Sequence, residues 1–339
     1  MNRRSIRRTR LFAIPALAVI TALSTVFLGG VATADAPKPS AISSIVKDGQ
    51  TWHMKVYSAA MAQDITIDVQ RPVDESQPAP NFYLLNGLDG GLSDASWTAQ
   101  TNALQFLAAK QVNVVQPIGG FASYYTDWDK PDPSIGVAKW RTFLTEELPP
   151  LLDDALHSTG VNALAGVSMS GTSVLQLAEA KPGLWKSVAA YSGCAQIADP
   201  MGQQFVKLVV QRGRGNTENM YGPDNSPEWA ANDPVINAEK LRGTSLFVSS
   251  GSGIPVPDDV KYYLTMDQDP VSNAESLALG ILIEGAVNQC THNLKAKLDS
   301  IDIPATYDFT PVGTHYWPYW NDALHVSWPQ LAQGMGIQP

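Results

Sequence analysis

Cysteine is nearly absent from this chain: Cys194 and Cys290 are the only two among 339 residues. Histidine is sparse as well, with His53, His157, His292, His315 and His325 scattered along the sequence. No Cys or His cluster has the spacing of a metal site, so neither a metal centre nor a cofactor is expected. Basic residues are also short, 23 Lys and Arg against 32 Asp and Glu, for a formal net charge of −9. Such a chain repels polyanions, which argues against nucleic acid and anionic lipid headgroups as partners. Internal repeats, low-complexity tracts and linker-like Gly/Ser/Pro stretches are missing too, so one large domain is expected.

The basic residues that do occur are unevenly placed. Five arginines (Arg3, Arg4, Arg7, Arg8, Arg10) precede an apolar stretch over 11–30, and no acid appears before Asp35. Ala32 and Ala34 flank Thr33 as an A-x-A site, the pattern of a signal peptide cleaved near Ala34. The expected organisation is a signal peptide over 1–34, an extended leader over 35–50 and a folded domain over 51–339. Without those arginines the charge becomes −9 − 5 = −14, which suits neutral substrates. Export places the chain in the cell envelope or outside it, where the two cysteines are expected to form a Cys194–Cys290 disulfide.

The apolar pattern alternates strand and helix signals. Residues 52–57 and 65–69 alternate apolar with polar side chains, as half-buried strands do. Residues 82–85, 112–115, 164–167, 188–191, 246–248 and 306–309 are short apolar runs ending in turn signals, with helix-compatible sequence over 95–110, 140–148 and 172–179. This order predicts an α/β fold with a mostly parallel central sheet covered by helices on both faces.

One of these runs ends in Gly166-Val167-Ser168-Met169-Ser170-Gly171. A serine between a buried strand and a helix, preceded by glycine, has the layout of a nucleophile elbow. Ser168 directly follows the strand and the Met169 N–H beyond it can face an oxyanion, which favours Ser168 over Ser170. A reactive serine needs an imidazole to take its proton. His315 lies in a loop after the last predicted strand, where this chain order puts the base; His53 falls on an opening strand, His157 near a helix end and His325 in a terminal helix. For the acid, Asp258 or Asp259 after the 246–248 strand and Glu284 within an apolar stretch remain equal candidates on physical grounds.

Several segments together resemble the mycolyltransferases of the mycobacterial antigen eighty-five type and their corynebacterial relatives, within the esterase-D-like α/β-hydrolases. They are YLLNGL (83–88), PIGGFASYYTDW (117–128), KWRTFLTEELP (139–149), GVSMSG (166–171), NMYGP (219–223), ANDP (231–234) and GTHYWPYWN (313–321). The resemblance implies the α/β-hydrolase fold and a Ser168, Glu284, His315 triad, with Leu88 and Met169 N–H groups as the oxyanion hole. It also implies substrate contacts at Asn86, Asp89, Trp128 and Trp317, although Asn86 lacks the family's carboxylate and Asp89 replaces a basic side chain. The implied activity moves a mycolyl group from trehalose monomycolate to a second glycolipid or to cell-wall arabinogalactan, by a monomer peripheral to the outer lipid layer. An exported carboxylesterase and a cell-wall adhesin are the competing expectations.

Overall fold

Strands β4 (Asn81–Leu85), β6 (Asn162–Val167), β7 (Trp185–Tyr191) and β8 (Ser245–Ser250) lie almost wholly out of solvent. A strand covered on both faces cannot alternate apolar with polar residues, which is why these segments read as continuous apolar runs. The computed structural model describes residues 38–266 and 269–339. It places these strands with β1 (Ala41–Asp48), β2 (Thr51–Ser58), β3 (Gln63–Gln70), β5 (Asn113–Ile118) and β9 (Ala305–Phe309) in one sheet of order β1-β2-β3-β5-β4-β6-β7-β8-β9. The pairs from β1 to β5 are antiparallel and every pair from β5 to β9 is parallel.

Successive side chains of each inner strand feed opposite layers. Tyr83, Leu85, Leu164, Val188, Ala190, Leu246 and Val248 pack on one face. They meet Val174 and Leu177 of the elbow helix (Met169–Ala180) and Leu294 and Leu298 of a long helix (Pro270–Ser300). Phe82, Leu84, Ala163, Ala165, Val167, Tyr191 and Phe247 pack on the other face, against Leu324, Trp328 and Leu331 of the C-terminal helix (Trp317–Met335). Every C-terminal strand end of the parallel half opens toward the same edge, where loops can converge.

Two expectations change. The leader over 35–50 is not merely extended: residues 41–48 form β1, an edge strand mostly exposed and paired only with β2. The helix expected over 95–110 is two short helices, Trp97–Gln100 and Ala103–Leu107. Thr101 interrupts it, because its hydroxyl donates to the Trp97 carbonyl and accepts the Ala103 N–H, replacing helical backbone bonds. The expected signal peptide, 1–34, lies outside the described residues.

The two cysteines are joined. The Cys194–Cys290 bridge ties the segment after β7 to the long helix across a separation of 96 residues, with Val287, Ile283 and Phe205 packed around it. Closing so long a loop restricts the unfolded chain and contributes about 2–5 kcal/mol. Treatment with dithiothreitol is therefore expected to lower the urea midpoint, and a Cys194→Ser/Cys290→Ser variant should match the reduced protein. An unchanged midpoint on reduction would remove the bridge from any account of stability.

Candidate active site

The turn after β6 is held by backbone geometry. Ser168 adopts φ 57° and ψ −121°, a region that a non-glycine residue occupies only when its surroundings compel it. Its N–H donates to the Tyr191 carbonyl at 2.9 Å and its carbonyl accepts the Gly171 N–H at 2.9 Å. A side chain at Gly166 would lie 2.6 Å from the Ser170 carbonyl oxygen, so only glycine permits this turn. Ser170 itself is fully buried. Its hydroxyl accepts the Val167 N–H at 2.8 Å and reaches the Leu85 carbonyl at 3.1 Å, which makes it a fastener between β4 and β6.

Three side chains remote in sequence meet above the sheet. His315 Nε2 lies 2.7 Å from Ser168 Oγ, and His315 Nδ1 lies 2.7 Å from Glu284 Oε2. Glu284 is 1% exposed, and a bare carboxylate at that depth would be costly. Its other oxygen, Oε1, accepts the Ser192 hydroxyl and the Gly251 N–H, each at 2.7 Å. His315 is anchored by its own backbone as well: its N–H donates to the Gly280 carbonyl at 3.1 Å and its carbonyl accepts the Tyr263 hydroxyl at 2.6 Å. Burial pushes the Tyr263 phenol well above its ordinary range, so this donor keeps its proton.

The other acids have different work. Asp259 is buried, where it accepts the Val256 N–H and the Tyr319 hydroxyl, and Asp258 is exposed. The other histidines are apart from the site: His53 pairs with Asp68 on the sheet surface, His157 caps a helix in left-handed backbone, His292 stacks on Phe309 and His325 meets Phe106 edge-on.

Beside Ser168, Met169 opens the elbow helix, so its N–H has no partner within that helix. The 86–88 loop faces the same point, since a side chain at Gly87 would stand 3.6 Å from Ser168 Cβ. One neighbouring loop grips both residues. The Ala122 N–H donates to the Leu88 carbonyl at 2.8 Å and the Tyr124 N–H approaches Met169 Sδ at 3.3 Å. Ala122, Tyr124 and Tyr125 all have positive φ there.

The expected substrate contacts fare differently. Trp128 is completely buried, with its indole N–H on the Ser123 carbonyl, and Asn86 is 1% exposed, with Oδ1 accepting the Trp97 N–H. Trp128 is therefore corrected to a framework residue with no face open to a ligand, whereas Asn86, equally buried, keeps an Nδ2 without a hydrogen-bond partner. Asp89 spends its oxygens on the Gly91 and Ser93 N–H groups and the Ser93 hydroxyl, closing a turn. Trp317 packs edge-on against Trp97 and Trp320 and is almost buried. The sequence reading missed Ser192, Gly251 and Trp320, whose indole N–H reaches the Ser192 hydroxyl at 2.9 Å. Ser192 and Gly251 lie outside every motif quoted above, and Trp320, although within GTHYWPYWN, carries no signal of its contact; only the fold brings them to the acid.

A mainly parallel sheet with a strained serine at a strand end, facing an imidazole backed by a carboxylate, defines an α/β-hydrolase-type protein. The family model described as a putative esterase matches residues 58–331. The chain is 32% identical over 301 residues to the diacylglycerol acyltransferase/mycolyltransferase Ag85A of Mycobacterium leprae, covering 85% of this chain and 84% of that one. It is 30% identical over 327 residues to Ag85C of the same organism, covering 94% and 92%. It thus belongs to the mycolyltransferase family within the esterases. Among solved structures, MPT51 of Mycobacterium tuberculosis shares the fold at a TM-score of 0.66 and 21% identity, over 82% of this chain and 96% of that one. An S-formylglutathione hydrolase from Agrobacterium tumefaciens shares it at 0.62 and 16%, over 87% and 100%. Among the described residues, no helix is long and apolar enough to cross a membrane.

Proposed function

We propose that this protein is an exported serine acyltransferase that moves a mycolyl-type acyl group between hydroxyl groups of envelope glycolipids and wall arabinogalactan. The observation that carries the reading is the unbroken run of two 2.7 Å contacts from Ser168 through His315 to Glu284. Relatives named as diacylglycerol acyltransferases/mycolyltransferases, matched over most of the chain, support transfer to an alcohol. The activity is assigned to the folded domain that begins with β1, acting as a monomer at the outer lipid layer after removal of the signal peptide.

Ser168 Oγ attacks the ester carbonyl of trehalose monomycolate while His315 Nε2 takes the hydroxyl proton. Glu284 holds Nδ1–H and offsets the imidazolium charge. The oxyanion sits toward the Leu88 and Met169 N–H groups. Collapse breaks the ester bond, and the departing sugar oxygen takes the proton from His315, leaving the acyl chain on Ser168. A second hydroxyl then gives its proton to His315, attacks the acyl-serine and leaves with the acyl group. No cofactor enters the cycle.

Incubating the purified protein with labelled trehalose monomycolate tests this. Label in dimycolate or in added arabinogalactan is the expected result. Free acid as the sole labelled product would make the protein a hydrolase, and no turnover would make the fold a binding scaffold.

A further inference from the structure

Ser168 has a counterpart one strand away. Ser192 directly follows β7, as Ser168 follows β6, and its φ is 48°. Its N–H donates to the Ser249 carbonyl at 2.9 Å, just as the Ser168 N–H donates to the Tyr191 carbonyl at 2.9 Å. Each serine thus continues the parallel ladder by one bond while its side chain leaves the strand's alternation. Backbone of this kind disfavours residues with a Cβ, and a serine kept in it signals a use for its side chain.

That use is visible in the contacts of the hydroxyl. Ser192 is 4% exposed. Its Oγ lies 2.7 Å from Glu284 Oε1 and 2.9 Å from Trp320 Nε1. An indole nitrogen only donates, so Ser192 accepts from Trp320 and turns its own O–H onto the carboxylate. The Trp320 ring also meets the His315 ring edge-on, with centroids 4.8 Å apart at 78°. One indole therefore touches the base with its ring and the acid through a hydroxyl.

We infer that Ser192 and Trp320 are positioning residues that fix the acid and the base in one orientation; this rests on the reading of Ser168, His315 and Glu284 as a triad. The terminal torsion of a glutamate is soft. With Gly251 alone on Oε1, the carboxylate retains freedom to rotate and carry Oε2 away from His315 Nδ1. The Ser192 hydroxyl supplies a second fixed donor to Oε1, and Trp320 fixes the direction of that hydroxyl.

Steady-state turnover of a soluble p-nitrophenyl ester tests the inference in Ser192→Ala, Ser192→Gly, Trp320→Phe and the Ser192→Ala/Trp320→Phe pair. In Ser192→Ala, kcat is expected to fall about tenfold at unchanged KM, the size of a lost hydrogen bond to a charged group. Trp320→Phe should cost less, and nothing further once the hydroxyl is gone, because the two act in series. The glycine variant separates positioning from fold maintenance: it suits left-handed backbone but lacks the hydroxyl, so its kcat should follow that of Ser192→Ala. The downfield proton resonance of His315 Nδ1–H should shift in both Ser192 variants. Wild-type kcat in either Ser192 variant, additive losses in the pair, or an unmoved resonance would overturn the inference. Failure of the triad reading would appear separately, as turnover surviving in Ser168→Ala.

Discussion

Ser168→Ala is expected to lower ester turnover about a millionfold, the loss seen when a triad nucleophile is deleted, while leaving the fold intact. Alanine fits the same strained turn at a similar backbone cost, since the left-handed conformation penalises any Cβ alike. The substitution removes one hydroxyl and its 2.7 Å contact to His315 Nε2, and that imidazole keeps its bonds to Glu284 and its backbone anchors. Thermal unfolding should therefore move little. A fluorophosphonate probe should label the wild type at Ser168 and leave the variant unlabelled. Substantial turnover in the variant, or label on Ser170, would place the nucleophile elsewhere in the elbow; the buried bonds of Ser170 to Val167 and Leu85 oppose that outcome.

Glu284→Gln should cost about ten-thousandfold in kcat, the penalty for presenting a base in the wrong tautomer. Glutamine has the same shape but only one oxygen. That oxygen accepts either from His315 Nδ1–H or from the Ser192 and Gly251 donors, and the amide nitrogen then opposes the remaining donor. The companion variant Asp259→Asn is expected to lose less than tenfold in kcat and to lower stability instead, by about 1–3 kcal/mol for a disturbed buried carboxylate, because Asp259 holds Val256 and Tyr319 rather than the imidazole. Stopped turnover in Asp259→Asn beside near-normal turnover in Glu284→Gln would exchange their roles.

The pair of candidate acids shows where sequence reading ends. Chain order and the elbow motif point to Ser168 and His315, since both follow recognisable strands, and the structure brings them within 2.7 Å. Choosing Glu284 over Asp259 depends on donors at Ser192 and Gly251, which approach from two other strand ends. Local sequence carries no trace of that convergence; the family resemblance supplied the choice. Strand β1 is illegible for the opposite reason: it lies at the sheet edge and is exposed along most of its length, so its side chains show no apolar rhythm. An aromatic or an amide in a loop, such as Trp128 or Asn86, is legible as a contact surface, whereas here the loops fold inward and bury both.

The hydroxyl and the imidazole are 147 residues apart in the chain, and the carboxylate also lies on the late side of that interval. During synthesis from the N terminus the elbow is complete long before its activating partners have been made. A nascent chain therefore lacks the contacts from Ser168 to His315 and on to Glu284, however well its first half has folded. The three side chains meet only when the last segments dock, so the site is complete only after the chain's own assembly is finished.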